Sequence, residues 1–149
     1  MKNYEQRLRE QVGQAPLFVP WVWALVQDDE NHLLLAIRDV SLELPGWPME
    51  IGEQFQDTLA RGLQTVGLTP EKYRIERALT PITSPRVREP QGEVQTLDIG
   101  YLVTVVGALP KIRQEDYGWL DQAKLRQQQL AFNSSLPLLQ QYLKELPRD

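Results

Sequence analysis

Leu44-Pro45-Gly46-Trp47-Pro48-Met49-Glu50-Ile51-Gly52-Glu53, with Ala60-Arg61-Gly62-Leu63 and Gly67-Leu68 behind it, is the stretch on which the fold turns. Two prolines and a glycine within residues 44–48 break any strand ladder, so this part reads as a loop. From residue 53 to residue 66 the apolar side chains Phe55, Leu59, Leu63 and Val66 recur on one helical face. Glu53 and Asp57 put acids in the first half of that helix, where its dipole favours them, and Gly67 supplies the stop. A loop thus delivers the chain into an amphipathic helix. Four residues apart on it, Glu53 and Asp57 share a face.

Outward from this point the elements alternate in type. Tyr4, Leu8 and Val12 are spaced by four among charged neighbours, which gives a short amphipathic helix ended by Gly13 and Pro16. Leu17–Gln27 is rich in β-branched and aromatic residues and apolar on both faces, the pattern of a central strand. Asp28-Asp29-Glu30-Asn31 is a turn, and Leu33–Arg38 is then the partner strand of a hairpin. Residues 73–84 and 94–106 read as further strands, separated by a loop over 86–93 that holds Pro90 and Gly92. Helices close the chain over 120–130 and 135–146, with Ser134 or Ser135 as the second N-cap. Without regular strand–helix–strand alternation, a mixed β-sheet packed between helices fits better than a doubly wound sheet. The expectation is one domain over residues 1–149, of α+β class with an α/β/α sandwich.

Composition narrows the function. The chain has 149 residues, 42% hydrophobic and 24% charged, with a formal net charge of -4. No run of basic residues occurs, so binding to nucleic acid through its phosphates is not expected. Cysteine is absent, which excludes disulfides and thiolate chemistry, and the one histidine, His32, excludes a multi-histidine metal site. His32 lies beside an acidic turn and reads as solvated. The most apolar run, residues 16–26, is about half the length of a membrane span. No basic segment precedes it, so no membrane association is expected and the location implied is cytoplasmic.

At the loop and helix the resemblance is to the Nudix hydrolases, whose box follows the pattern G-x5-E-x7-R-E-U-x-E-E-x-G-U, with U a bulky aliphatic. Trp47 stands where that pattern opens with glycine, and Glu53 and Arg61 then fall at the expected separation. Gly62 replaces the first glutamate after the arginine, while Leu63 keeps the aliphatic position. The paired glutamates fall on Thr65 and Val66, or on Gln64 and Thr65 when counted back from Gly67, because the box is one residue short. From residue 58 to residue 70 there is no acidic side chain. The resemblance extends to the N-terminal helix, to Arg38 as the survivor of a paired arginine, to Leu42 where many members have Trp, to residues 115–120 with Trp119, to Leu130-Ala131-Phe132 and to the last helix.

This resemblance implies the Nudix fold with a degenerate box. Family members cleave a diphosphate linked to another group, using Mg²⁺ or Mn²⁺ held by the helix glutamates. Mg²⁺ takes oxygen ligands, commonly one or two protein carboxylates plus substrate phosphates, and it activates water and offsets phosphate charge. One contact charge pair is worth roughly 4 kcal/mol at an effective dielectric of 20. Losing two carboxylates therefore removes several kcal/mol of metal affinity.

Glu53 and Arg61 are the retained box residues, and Arg61 reads as a structural partner of Glu53. Glu53 and Asp57 are the weak candidates for a metal. Arg38, Trp47, Glu50 and Glu93 are the candidates to touch a ligand, although Arg38 reads equally as an ion-pair partner of Asp39 or Glu43. Glu115 and Asp116 lie where some members carry a further acid. Trp47, in place of glycine, either fills or caps the pyrophosphate site. Trp21 and Trp23 read as core, as an interface or as a stacking surface for a base.

Three readings follow. In the first, the chain binds a nucleotide-like or phosphorylated small molecule without cleaving it, or serves as a scaffold. In the second, it is an active Mg²⁺- or Mn²⁺-dependent pyrophosphohydrolase of nucleoside diphosphate-linked substrates with acids relocated to Glu50, Glu53, Asp57 and Glu93. In the third, it is a homodimeric interaction module built on the apolar strand.

Overall fold

The computed structural model describes residues 1–38, 41–132 and 134–146. Asp39, one of the two ion-pair partners expected for Arg38, lies outside the described residues. The chain order is α1 (Tyr4–Val12), β1 (Leu17–Gln27), β2 (Leu33–Arg38), β3 (Ser41–Glu43), β4 (Gly46–Pro48), α2 (Phe55–Thr65), β5 (Tyr73–Ala78), β6 (Ile82–Thr83), β7 (Val87–Glu89), β8 (Gly92–Val105), β9 (Tyr117–Leu120), α3 (Gln122–Gln127) and α4 (Leu136–Glu145).

The apolar character of β1 on both faces has the expected consequence. β1 runs parallel to β8 along its whole length, from Leu17 opposite Val94 to Gln27 opposite Thr104. The strand order is β3-β2-β1-β8-β5, with β4 on β1, β6 and β7 on β8, and β9 on β2. Val22, Ala24 and Val26 point to one face, where Leu59, Leu63 and Val66 cover them together with Ile99 and Val103. Trp23 and Leu25 point to the other, under Leu125, Leu138, Leu139, Tyr142 and Leu143. Period two along the strand thus feeds two cores, and the α/β/α sandwich follows. Each leucine buried in this way contributes about 2 kcal/mol. Because β1 is covered by the chain's own helices, its side chains are not an exposed surface for a second copy. Phe18, at 56% exposure, is the exception.

Several element boundaries differ from the sequence expectation. Residues 44–48 are not all loop: Trp21, Val22 and Trp23 pair with Pro48, Trp47 and Gly46 of β4. The prolines fit because the flanking bonds need only what they can offer. The Pro45 carbonyl accepts from Ala24 N (2.8 Å), while Met49 N donates to the Pro20 carbonyl (3.1 Å). β4 holds the middle of the β1 edge, at Trp21, Val22 and Trp23, while the expected β1–β2 hairpin is joined only at Gln27–Leu33, and β2 pairs instead with β3 and β9. The strand expected over 73–84 is interrupted after Ala78, in the stretch containing Pro81, and carries a register shift between Ile75 and Arg77. The expected loop over 86–93 is a hairpin, with β7 and β8 paired from Val87–Val94 to Glu89–Gly92 around Pro90-Gln91.

Leu120 closes β9 rather than opening a helix, and Asp121 caps α3 through Lys124 N (2.8 Å). Ser135 stands at the N-cap of α4, but its hydroxyl donates to Glu43 (2.9 Å) and accepts from Leu44 N (3.0 Å) instead of capping the helix. That ties α4 to the strand region. Among the described residues no helix is long and apolar enough to cross a membrane.

Candidate functional site

Helix α2 begins at Phe55, two residues later than its apolar pattern suggests, with Gln54 as N-cap. Glu53 therefore precedes the helix and does not share its face with Asp57. Asp57 accepts from Gln54 N (2.8 Å), a capping contact at the first turn. Phe55, expected on the buried face, is exposed; Leu59, Leu63 and Val66 are buried, together with Thr58 and Gly62.

The Glu53 carboxylate is almost fully engaged. Oε1 accepts from Glu50 N (2.9 Å), Thr58 Oγ1 (2.8 Å) and Arg61 Nη2 (3.0 Å), and Oε2 accepts from Arg61 Nε (2.8 Å). A carboxylate offers about four lone-pair sites. The bonded guanidinium holds this carboxyl down at about 2. Arg61 Nη2 also donates to the Pro48 carbonyl (2.9 Å), so one side chain ties helix, turn and β4 together. The pairing of Arg61 with Glu53 expected from the sequence is present.

Glu50 is held from the other side by α1. Its Oε2 accepts from Tyr4 N (2.6 Å) and its Oε1 from Arg7 Nη2 (2.9 Å). These bonds, the Tyr4 amide first, lower its pKa. No residue of α1 is fully buried; this clasp, a bond from Trp21 Nε1 to Glu5 (3.1 Å), the Arg9 bonds to the carbonyls of Ala15 (2.7 Å) and Glu93 (3.0 Å) and the packing of Leu8 on Leu17, Val19 and Val94 hold the helix in place.

Trp47 and Gly62 complete the site. A Cβ built on Gly62 would lie 2.1 Å from Cδ2 and Cε3 of Trp47. No side chain fits there while the indole does. Tryptophan at 47 and glycine at 62 are one packing arrangement: the ring occupies the space that a residue-62 side chain would need. Gly46 plays the same part for the next tryptophan, since its Cβ would lie 2.2 Å from Trp23 Cε3.

The other candidates are dispersed. Arg38 is exposed at the end of β2, and Glu43, its other expected partner, receives the Ser135 hydroxyl. Glu93 lies in the β7–β8 hairpin and is ion-paired with Arg86. Glu115 and Asp116 both pair with Arg113, at 3.2 and 3.3 Å. His32, read as solvated, is bonded to Asp28 (3.0 Å). Among the described residues no three acidic or histidine side chains gather into a group that could hold a metal ion. A divalent cation needs several unengaged oxygens. At Gly62, Gln64, Thr65 and Val66 there are no carboxylates, and the acids before them are bonded to Arg61, Arg7 and Gln54. The residues present do not fit Mg²⁺ or Mn²⁺.

One buried acid was not singled out from the sequence. Asp98 of β8 is 1% exposed; its Oδ1 accepts from Trp23 Nε1 (2.9 Å), and its Oδ2 has no hydrogen-bond partner among the described residues. Burial pushes its pKa up. The ring of Trp23 stacks on Trp21 with centroids 5.3 Å apart. An acid between Leu97 and Ile99 in an apolar strand was the available signal.

No family model matches the sequence, and no curated protein matches it. Solved structures do match the fold. A Nudix hydrolase from Nitrosomonas europaea is 17% identical over 86% of this chain and 87% of its own, with a TM-score of 0.64. The Ap4A hydrolase of C. elegans is 11% identical over 86% of this chain and 97% of its own, also at 0.64. A bifunctional NMN adenylyltransferase/ADP ribose pyrophosphatase from Francisella tularensis is 19% identical over 94% of this chain and 44% of its own, at 0.63. The mixed sheet between helices is the Nudix fold.

Proposed function

We propose that this Nudix-fold chain binds a nucleotide-like or phosphorylated small molecule and does not hydrolyse it. The observation that carries the reading is the Trp47 ring seated on Gly62, which closes the helix face where the box pattern places a glutamate. The engaged state of Glu53 and Glu50 supports it further. A metal would have to break the Arg61 and Arg7 pairs, and each broken charge-assisted bond costs about 1.5–3 kcal/mol.

An active hydrolase with relocated acids needs Glu50, Glu53, Asp57 and Glu93 to converge. Each is instead bonded to a different partner, so no observation favours that reading. Ap4A and ADP-ribose, named for two of the structural neighbours, are the compounds to test first. Calorimetry of the intact chain with each, with and without Mn²⁺, is expected to show binding that does not depend on the metal and no product. Metal-dependent release of phosphate or a nucleoside monophosphate, abolished by Glu53→Gln, would overturn the proposal.

A further inference from the structure

An open groove of about 700 Å³ runs between β9 and the loop before it, and no residue of α2 lines it. Its apolar floor is made by Ile37, Ile112, Tyr117 and Trp119, and Lys111 and Gln114 stand at its rim. Tyr117 and Trp119 are two apart on one strand, opposite Ala36 and Leu34 of β2. Their side chains therefore leave the same face of the sheet, about 7 Å apart. Both are partly buried, packed against the core under α2, and both also line the groove.

The polar groups around this floor are unused. Among the described residues, Lys111 Nζ, the Gln114 amide, the Tyr117 hydroxyl and the Trp119 indole N–H make no hydrogen bond or ion pair. Their surroundings are different. Arg113 is paired with Glu115 and Asp116, and the indole N–H groups of Trp21 and Trp23 are bonded to Glu5 and Asp98. A half-buried tryptophan usually finds a partner for its N–H. Flat rings, several free donors and one free cation are the complement of a planar ring carrying an anion. Aromatic side chains hold bases of any sequence, since every base has a π-face.

We propose that this groove is the seat of the ligand: a planar ring lies on Tyr117 and Trp119, and a phosphate attached to it meets Lys111. The proposal rests on the binding function argued above and moves the ligand off the box helix. Glu115 and Asp116, in the same loop, are paired with Arg113, and Lys111 is the cation among the residues that line the groove.

The test is calorimetric titration of the full chain with ADP and with adenosine, repeated on Lys111→Ala, Trp119→Ala and Trp119→Phe. Lys111 is exposed, so its variant leaves the fold intact. Loss of Lys111 is expected to weaken ADP about tenfold, the effect of about 1.4 kcal/mol, and to leave adenosine unchanged. Trp119→Ala is expected to weaken both, and Trp119→Phe to keep most of the affinity. ADP binding equally to wild type and to all three variants would overturn the groove as the seat while leaving the binding function standing. Failure of ADP, ADP-ribose and Ap4A alike to bind the wild type would remove both.

Discussion

Gly62 is the residue where propensity and packing point in opposite directions. In an exposed helix, Gly→Ala gains about 1 kcal/mol. Here the added Cβ would lie 2.1 Å from a rigid indole. Overpacking of this kind costs about 1–3 kcal/mol. Gly62→Ala is therefore expected to lower the denaturation midpoint in urea, and the same change in a Trp47→Ala background to raise it. The reversal, measured as a double-mutant cycle, isolates the contact; equal effects in both backgrounds would show that the ring does not occupy that space.

Two carboxylates give stability opposite signs of pH dependence. Glu53 has its pKa lowered from 4.5 to about 2. Its contribution is present above pH 4.5 and lost as pH falls towards 2. With its arginine partly exposed, that contribution is about 1–2 kcal/mol, and Glu53→Gln should remove both it and its pH dependence. Asp98 has its pKa raised by burial. The stability it allows is fully present below 3.8 and is lost as pH rises through its folded value. Asp98→Asn is expected to abolish that decline in unfolding free energy with rising pH. A decline unchanged in the variant would assign it to another group.

At the scale of elements, α1 is held mainly by polar bonds, with Leu8 packed against the small cluster of Leu17, Val19 and Val94. The Asn3–Gln6 capping box sets its start, at 2.8 and 2.9 Å, but no side chain of the helix is buried. An element without a buried face exchanges by local opening. Glu50→Gln weakens the clasp to Arg7, so amide exchange in residues 4–12 should accelerate while β1 and β8 stay protected. Uniform acceleration across the chain would show that α1 is part of the global folding unit. The elements also show why sequence boundaries drifted. Proline in residues 44–48 argued for a loop because propensity counts missing donors. The ladder around β4 draws on the Pro45 carbonyl and the Met49 amide, which no local pattern reveals.

At the scale of the molecule, a divalent ion that binds only the folded state raises its stability by RT ln(1 + [L]/Kd), about 2.7 kcal/mol at a hundredfold excess over Kd. For this chain the melting temperature in millimolar Mn²⁺ is expected to match that in chelator. An upward shift of several degrees, lost in Glu53→Gln, would mean that the Arg61 pair opens to admit the ion.

The sequence by itself determined the layered plan. β1 is apolar on both faces, so it had to be central, and the helix carrying Leu59, Leu63 and Val66 had to lie on one side of it; periodicity is a local property and can be read locally. It also determined that residues 58–70 carry no acid. Tertiary structure alone decided that Trp47 and Gly62 are one arrangement, that Glu50 belongs to α1, that Asp98 is buried beside Trp23, and that Tyr117 and Trp119 share a groove with Lys111. Each of those depends on side chains brought together across the sheet or around the α2 loop, and distances between residues remote in sequence are set by the packing of whole elements.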